Sequence, residues 1–260
     1  MQKNKNISER RGLEFLIWQG NTLGVLMVKA PIELVSPVIC SVLNGVLEID
    51  VFGKQYDPYS SKHHVISQYR GHDWTIIFDF DVCADATVTK ISEQLQSDCI
   101  YLITEDVSGC SSYQLFEKGS IIEELDWGTD YTEEFLGIDH KDLLKFVQQK
   151  EAQGDPLAAN WDPRTWDIYF VDEYHNYKFR SNKYKATTEE IQNEEVFLDK
   201  LFKVQDAWLP DWEYFPQMFP MPEGLEDLRL CSEKDFVRVD VVHSTRTVNE
   251  IYAIVDSTDN

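Results

Sequence analysis

Glycine is scarce in this chain: there are twelve in 260 residues, most of them single and at turns. Neither a G-x-G-x-x-G nor a Walker-type loop can be assembled from them, so the backbone cradle that nucleotide enzymes use for phosphates is missing. Cysteine is short too. Cys40, Cys83, Cys99, Cys110 and Cys231 form an odd set without C-x-x-C spacing, which excludes a disulfide scaffold and a zinc ribbon. They read as reduced, mostly buried thiols of a cytoplasmic protein. No apolar stretch approaches the ~20 residues that cross a bilayer, and the opening MQKNKNISERRGLEFLIWQG lacks the apolar centre of an export signal. The chain is also poor in positive charge, with 24 basic against 46 acidic residues and a net charge of −22. That balance repels nucleic acid and anionic membrane surfaces, and the partner it favours is a basic protein.

What the chain does have is material for a core. Hydrophobic residues make up 43% and aromatics 13%, the opposite of a disordered composition. LEFLIW (13–18) and LGVLMVKA (23–30) read as a hairpin that opens the fold. In PIELVSPVICSVLNG (31–45), Ser36-Pro37 resembles an N-cap with proline at the first helical position, and Gly45 a stop. VISQYRGHDWTIIFDF (65–80) reads as a hairpin turning at 70–73, after a polar loop, QYDPYSSKHH, that would leave His63 and His64 solvated. ADATVTKISEQLQSD (84–98) sets Val88, Ile91 and Leu95 on one helical face. CIYLITED (99–106) is an apolar strand. YQLFEKGSIIEEL (113–125) is a hairpin with glycine at its corner.

Residues 148–163 lack periodicity and read as a linker. It would divide the chain into a lobe at 1–150 and another of similar size at 160–260, the alternative being one continuous domain. Between Ser120 and Glu173 there are fourteen acidic and four basic residues, a net of −10. TWDIYFVDEY (165–174) reads as a strand. Thr187 and Glu190 form a capping box for a helix running to Trp208, with Ile191, Leu198, Leu201, Phe202 and Trp208 as its apolar stripe. DFVRVDVVH (235–243) and IYAIVD (251–256) are closing strands. The expected fold is α+β, with mainly antiparallel sheets and packed helices, because hairpin signals outnumber strand–helix–strand units.

Candidate chemistry is sparse. Arg70 on the turn between Tyr69 and Trp74 has the fork that binds carboxylates, and His72 lies beside it. Asp106, at the end of a buried strand, completes a set of anion or substrate candidates. TEDVSGCSSY (104–113) gathers Glu105, Asp106, Ser108, Cys110 and Ser111, yet it has no G-x-S-x-G elbow and no cation near Cys110. No catalytic residue, metal ligand or cofactor site is assigned. LPDWEYFPQMFPMP (209–222) is too rich in proline for a helix or central strand. It reads as a stiff strap with Trp212 packed inward. The competing reading is an interface of Asp211, Trp212, Glu213, Tyr214, Met218 and Phe219, the residue types interfaces favour.

ISEQLQSDCIYLITEDVSGCSSYQLFEKGSIIEEL (91–125) is similar to a motif of uncharacterised, largely cyanobacterial proteins: helix, apolar strand, EDxSG turn, then YxLFExG. GVLMVKAPIELV (24–35), QYRGHDW (68–74) and FLDKLFKVQDAWLPDW (197–212) resemble further blocks of that group. The resemblance implies a bacterial cytosolic α+β protein and carries no activity. The expected function is a non-catalytic protein-binding or regulatory module. The alternative is a small-substrate enzyme using Arg70, His72 and Asp106.

Overall fold

The structure, a computed structural model, describes residues 5–14, 23–49, 63–78, 84–104, 111–129, 167–170, 175–183, 185–191, 193–211 and 234–243, with 145 and 152 singly. The architecture is α+β. Ten strands form one sheet in the order β3-β12-β4-β5-β2-β6-β7-β8-β10-β9, and every neighbouring pair in it is antiparallel. They are β2 (Leu23–Val28), β3 (Gly45–Glu48), β4 (His63–Tyr69), β5 (Thr75–Phe78), β6 (Asp98–Thr104), β7 (Ser111–Glu117), β8 (Ser120–Thr129), β9 (Asp167–Phe170), β10 (His175–Ser181) and β12 (Phe236–His243). Among the described residues the α-helices are α1 (Ile32–Val42), α2 (Ala84–Leu95), α3 (Thr188–Ile191) and α4 (Glu194–Val204). Among the described residues no helix is long and apolar enough to cross a membrane.

Alternation along the strands gives the sheet two apolar faces. One carries Leu26, Val28, Ile66, Ile77, Cys99 and Tyr101, under Ile32, Val35 and Ile39 of α1 and Val88 and Ile91 of α2. The other carries Val25, Ile76, Leu102, Tyr113, Leu125 and Phe179, under Phe197, Leu198, Leu201 and Phe202 of α4. Strands from both sides of 148–163 share this sheet, since β10 pairs with β8 and β12 with β3 and β4. The α4 face likewise draws its core from both halves of the chain.

Two hairpins form as their turn residues dictate. β4 and β5 join through Gly71 at φ +84°, and β7 and β8 through Lys118 and Gly119 at φ +49° and +85°, the paired left-handed geometry that suits the strands' twist. The capping box is present: Thr187 N donates to Glu190 Oε2 (2.9 Å), and Glu190 N to Thr187 Oγ1 (3.3 Å). Cys99 is fully buried with a free thiol, and burial pushes that thiol up to about 12; Cys83, Cys110 and Cys231 lie outside the described residues.

Elsewhere the structure corrects the expectations. Helix α1 begins a turn before Ser36, and Pro37 stands inside it on the exposed side. Burying Ile32 together with Val35 and Ile39 extends the helix back across a proline that would otherwise start it. Its stop is Asn44, at φ +51°. Gly45 opens β3, where a Cβ would meet Val241 Cγ1 at 2.4 Å. The helix expected over 188–208 is broken in two, because Asn193 caps α4 by accepting from Val196 N at 3.2 Å. Residues 15–22 lie outside the described set, but β1 (Gly12–Leu13) pairs in parallel with β11 (Trp208–Leu209) rather than with β2. His64 is buried in β4 opposite Val241, not in a loop. Residues 251–256 lie outside the described residues.

Candidate functional site

The 70–73 turn separates its two candidate residues. Arg70 is exposed, and its backbone N–H reaches Asp235 O at 2.7 Å. His72 turns inward: its ring stacks on Trp208 (centroids 5.0 Å, 24°) and its Nε2 lies 2.7 Å from Ile7 O. Burial holds the imidazole below its ordinary range. A neutral ring with Nε2–H donating to that carbonyl satisfies this geometry.

Trp208 is the hub of this corner. Tyr69 packs against it in a T-shaped contact at 5.0 Å and 73°, and the Arg10 guanidinium lies 5.9 Å from its centroid. Arg10 in turn donates from Nη1 to both Glu14 oxygens, at 3.0 and 2.9 Å. Burial raises the Glu14 carboxyl, Arg10 opposes that shift, and the nearby Asp211 adds to it. The N-terminal segment is fastened here by backbone bonds, Gly12 N to Ala207 O (2.8 Å) and Glu14 N to Leu209 O (2.9 Å). The turn at His72 and the start of the proline-rich segment at Asp211 thus meet at one junction. Nothing local in the sequence joins them. Asp106 and the residues Trp212, Glu213, Tyr214, Met218 and Phe219 lie outside the described residues.

A second polar feature lies on the α4 face, where register arranges strands β2, β6, β7, β8 and β10 into cross-strand layers. The central layer, Val25, Leu102, Tyr113, Leu125 and Phe179, is apolar apart from a phenol. On one side of it Glu123 is 1% exposed and accepts from Ser181 Oγ (2.7 Å) and Tyr113 Oη (3.2 Å). An irregularity between Leu115 and Phe116 offsets Ile122 and swings Glu123 to this inner face. Burial raises the Glu123 carboxyl above its ordinary range, opposed by its two hydroxyl donors and the charge of Lys183.

A carboxyl raised by folding contributes stability below its unfolded pKa, and that contribution is lost as pH rises through the folded value. Glu123→Gln should therefore gain stability relative to the native chain as pH rises from acid to neutral. Denaturation midpoints compared across that range check this, and a pH-independent difference would refute it.

On the other side of the central layer stand Thr104, Ser111 and Trp127, direct cross-strand neighbours in that order. They are 2%, 6% and 4% exposed. Thr104 Oγ1, Ser111 Oγ and Trp127 Nε1 have no hydrogen-bond partner among the described residues. A buried polar group left unmade costs about 1–3 kcal/mol, so three such atoms in one row call for a hydrogen-bonding partner other than the described residues, either buried water or a ligand. The stretch 104–113, Ser111 included, is a candidate in the sequence for its carboxylates, serines and thiol. Trp127, a hairpin away, had no local signal to join it to Ser111.

Among the described residues no group of three or more histidine, cysteine or acidic side chains is placed to hold a metal ion. Compared with known protein families, with curated proteins and with solved structures, the chain matches none.

Proposed function

We propose that this chain is a non-catalytic, acidic protein-binding or regulatory module of the bacterial cytoplasm whose partner is a basic protein. The observation that carries the reading is the net charge of −22, a field that draws basic surfaces and speeds their encounter. The alternative, an enzyme acting on a small substrate through Arg70, His72 and Asp106, gains little from His72, whose ring is spent on Trp208 and Ile7. In this proposal the contact patch is the proline-rich segment in its competing, interface reading: Asp211, Trp212, Glu213, Tyr214, Met218 and Phe219. Asp211 and Glu213 supply charge to it, and the aromatics and Met218 supply apolar area at low entropic cost.

The test begins with capture of a partner at low salt, followed by titration of that purified partner. Three chains are compared: the native chain, Asp211→Lys/Glu213→Lys, and a control reversal, Glu189→Lys/Glu117→Lys, at two exposed acids. Binding should weaken with salt, and the segment reversal should weaken it about tenfold more than the control. Equal effects of the two reversals would remove the patch. If no basic protein is retained at low salt, the reading itself fails.

A further inference from the structure

We infer that the Thr104–Ser111–Trp127 row is a binding site for a small uncharged ligand of the polyol or sugar type, independently of any protein partner. Three neighbouring buried polar atoms lack partners among the described residues. They belong to three adjacent strands and lie on one face, because Leu102, Tyr113 and Leu125, two residues along each strand, line the core on that same side. The rigid sheet therefore sets their spacing.

Their chemistry selects the ligand. The indole N–H can only donate, whereas the two hydroxyls both donate and accept. A complementary molecule presents an acceptor oxygen to Trp127 and hydroxyl groups to Thr104 and Ser111. The row contains no charged side chain, so it offers an anion no cation and a cation no carboxylate. A net charge of −22 disfavours anions further. Two inter-strand steps of ~4.8 Å put the span at about 10 Å, which suits a monosaccharide or short polyol better than a single small alcohol. The Trp127 ring and Tyr177, the next residue across on β10, supply the apolar flank against which the carbon face of such a ligand packs.

The experiment follows the Trp127 indole N–H by NMR, assigned by its loss in Trp127→Phe, while the full chain is titrated with glycerol, myo-inositol, D-glucose and, as a charged control, acetate. At least one of the two ring-shaped probes is expected to shift that resonance saturably, and acetate to leave it in place. Thr104→Val/Ser111→Ala should abolish the shift, with Ser111→Ala alone as the milder variant should the double one fold poorly. The same substitutions should raise the denaturation midpoint of the ligand-free protein, since they remove hydroxyls that have no protein partner. The inference is overturned if no uncharged probe moves the resonance, if acetate moves it equally, or if the shift survives both variants. A lowered midpoint in both variants would also overturn it, showing that the hydroxyls serve the fold.

Discussion

Asp240→Ala is expected to lower the stability of this chain by about 3–5 kcal/mol, the cost of leaving one member of a buried ion pair behind. Arg238 and Asp240 stand two apart on β12, so they share a face of the strand. The guanidinium donates from Nε to Oδ1 and from Nη2 to Oδ2, both at 2.7 Å. Their side chains are 2% and 0% exposed. Bidentate geometry and burial make the pair strong once formed, but each charge was costly to bury. Removing Asp240 takes from the buried guanidinium, which stays protonated in proteins, the carboxylate that it meets bidentately. Exchanging both at once, Arg238→Met with Asp240→Leu, should recover most of the loss, because neither charge of the pair then has to be desolvated. Urea unfolding of the three chains decides it: a double variant as unstable as Asp240→Ala would show that further partners of the pair, rather than burial of the lone charge, set the cost.

Trp208→Ala should cost a similar amount, about 3–5 kcal/mol, as expected for truncating a buried tryptophan. The residue is 1% exposed and takes three contacts: the His72 ring stacked on it, the T-shaped contact of Tyr69 and the Arg10 guanidinium. Its strand β11 also carries the parallel pairing that fastens Gly12 and Leu13. Truncation should therefore loosen the N-terminal segment beyond its effect on global stability. Hydrogen exchange at Gly12 and Glu14, whose N–H groups bond to Ala207 and Leu209, should quicken more than at Ile100 in the sheet centre. Uniform acceleration would mean that Trp208 supports the core and not this junction.

Local features were legible in the sequence wherever their cause is local. Gly71 and the Lys118-Gly119 corner announce their hairpins because only certain residues tolerate left-handed backbone cheaply. Thr187 with Glu190 announces a helix start because both partners of the cap lie within four residues. Val88 and Ile91 announce the buried face of α2 by spacing alone. The errors share a different cause. Ser36-Pro37 has the chemistry of a helix start, yet burial of Ile32 outweighs it. His64 sits in a polar stretch but becomes buried strand, because its partner Val241 comes from the far end of the sequence. Nothing within ten residues of either could reveal that pairing.

The candidate sites divide in the same way. Arg70 and His72 were visible as unusual residues on a turn, but not that one would face solvent and the other would lie beneath Ile7. Thr104 and Ser111 were visible in an odd polar stretch, but without Trp127 they formed no site.

By itself the sequence determined the α+β class, the antiparallel hairpins and the acidity. Each of these depends on composition or on residues a few positions apart. Only the tertiary structure decided that β12 lies between β3 and β4, that β1 joins β11 and not β2, and that Thr104, Ser111 and Trp127 fall into one row. Those outcomes depend on register between distant strands. Register is set by which arrangement buries the most apolar surface without exposing backbone hydrogen bonds, a property of the whole chain that no single segment carries.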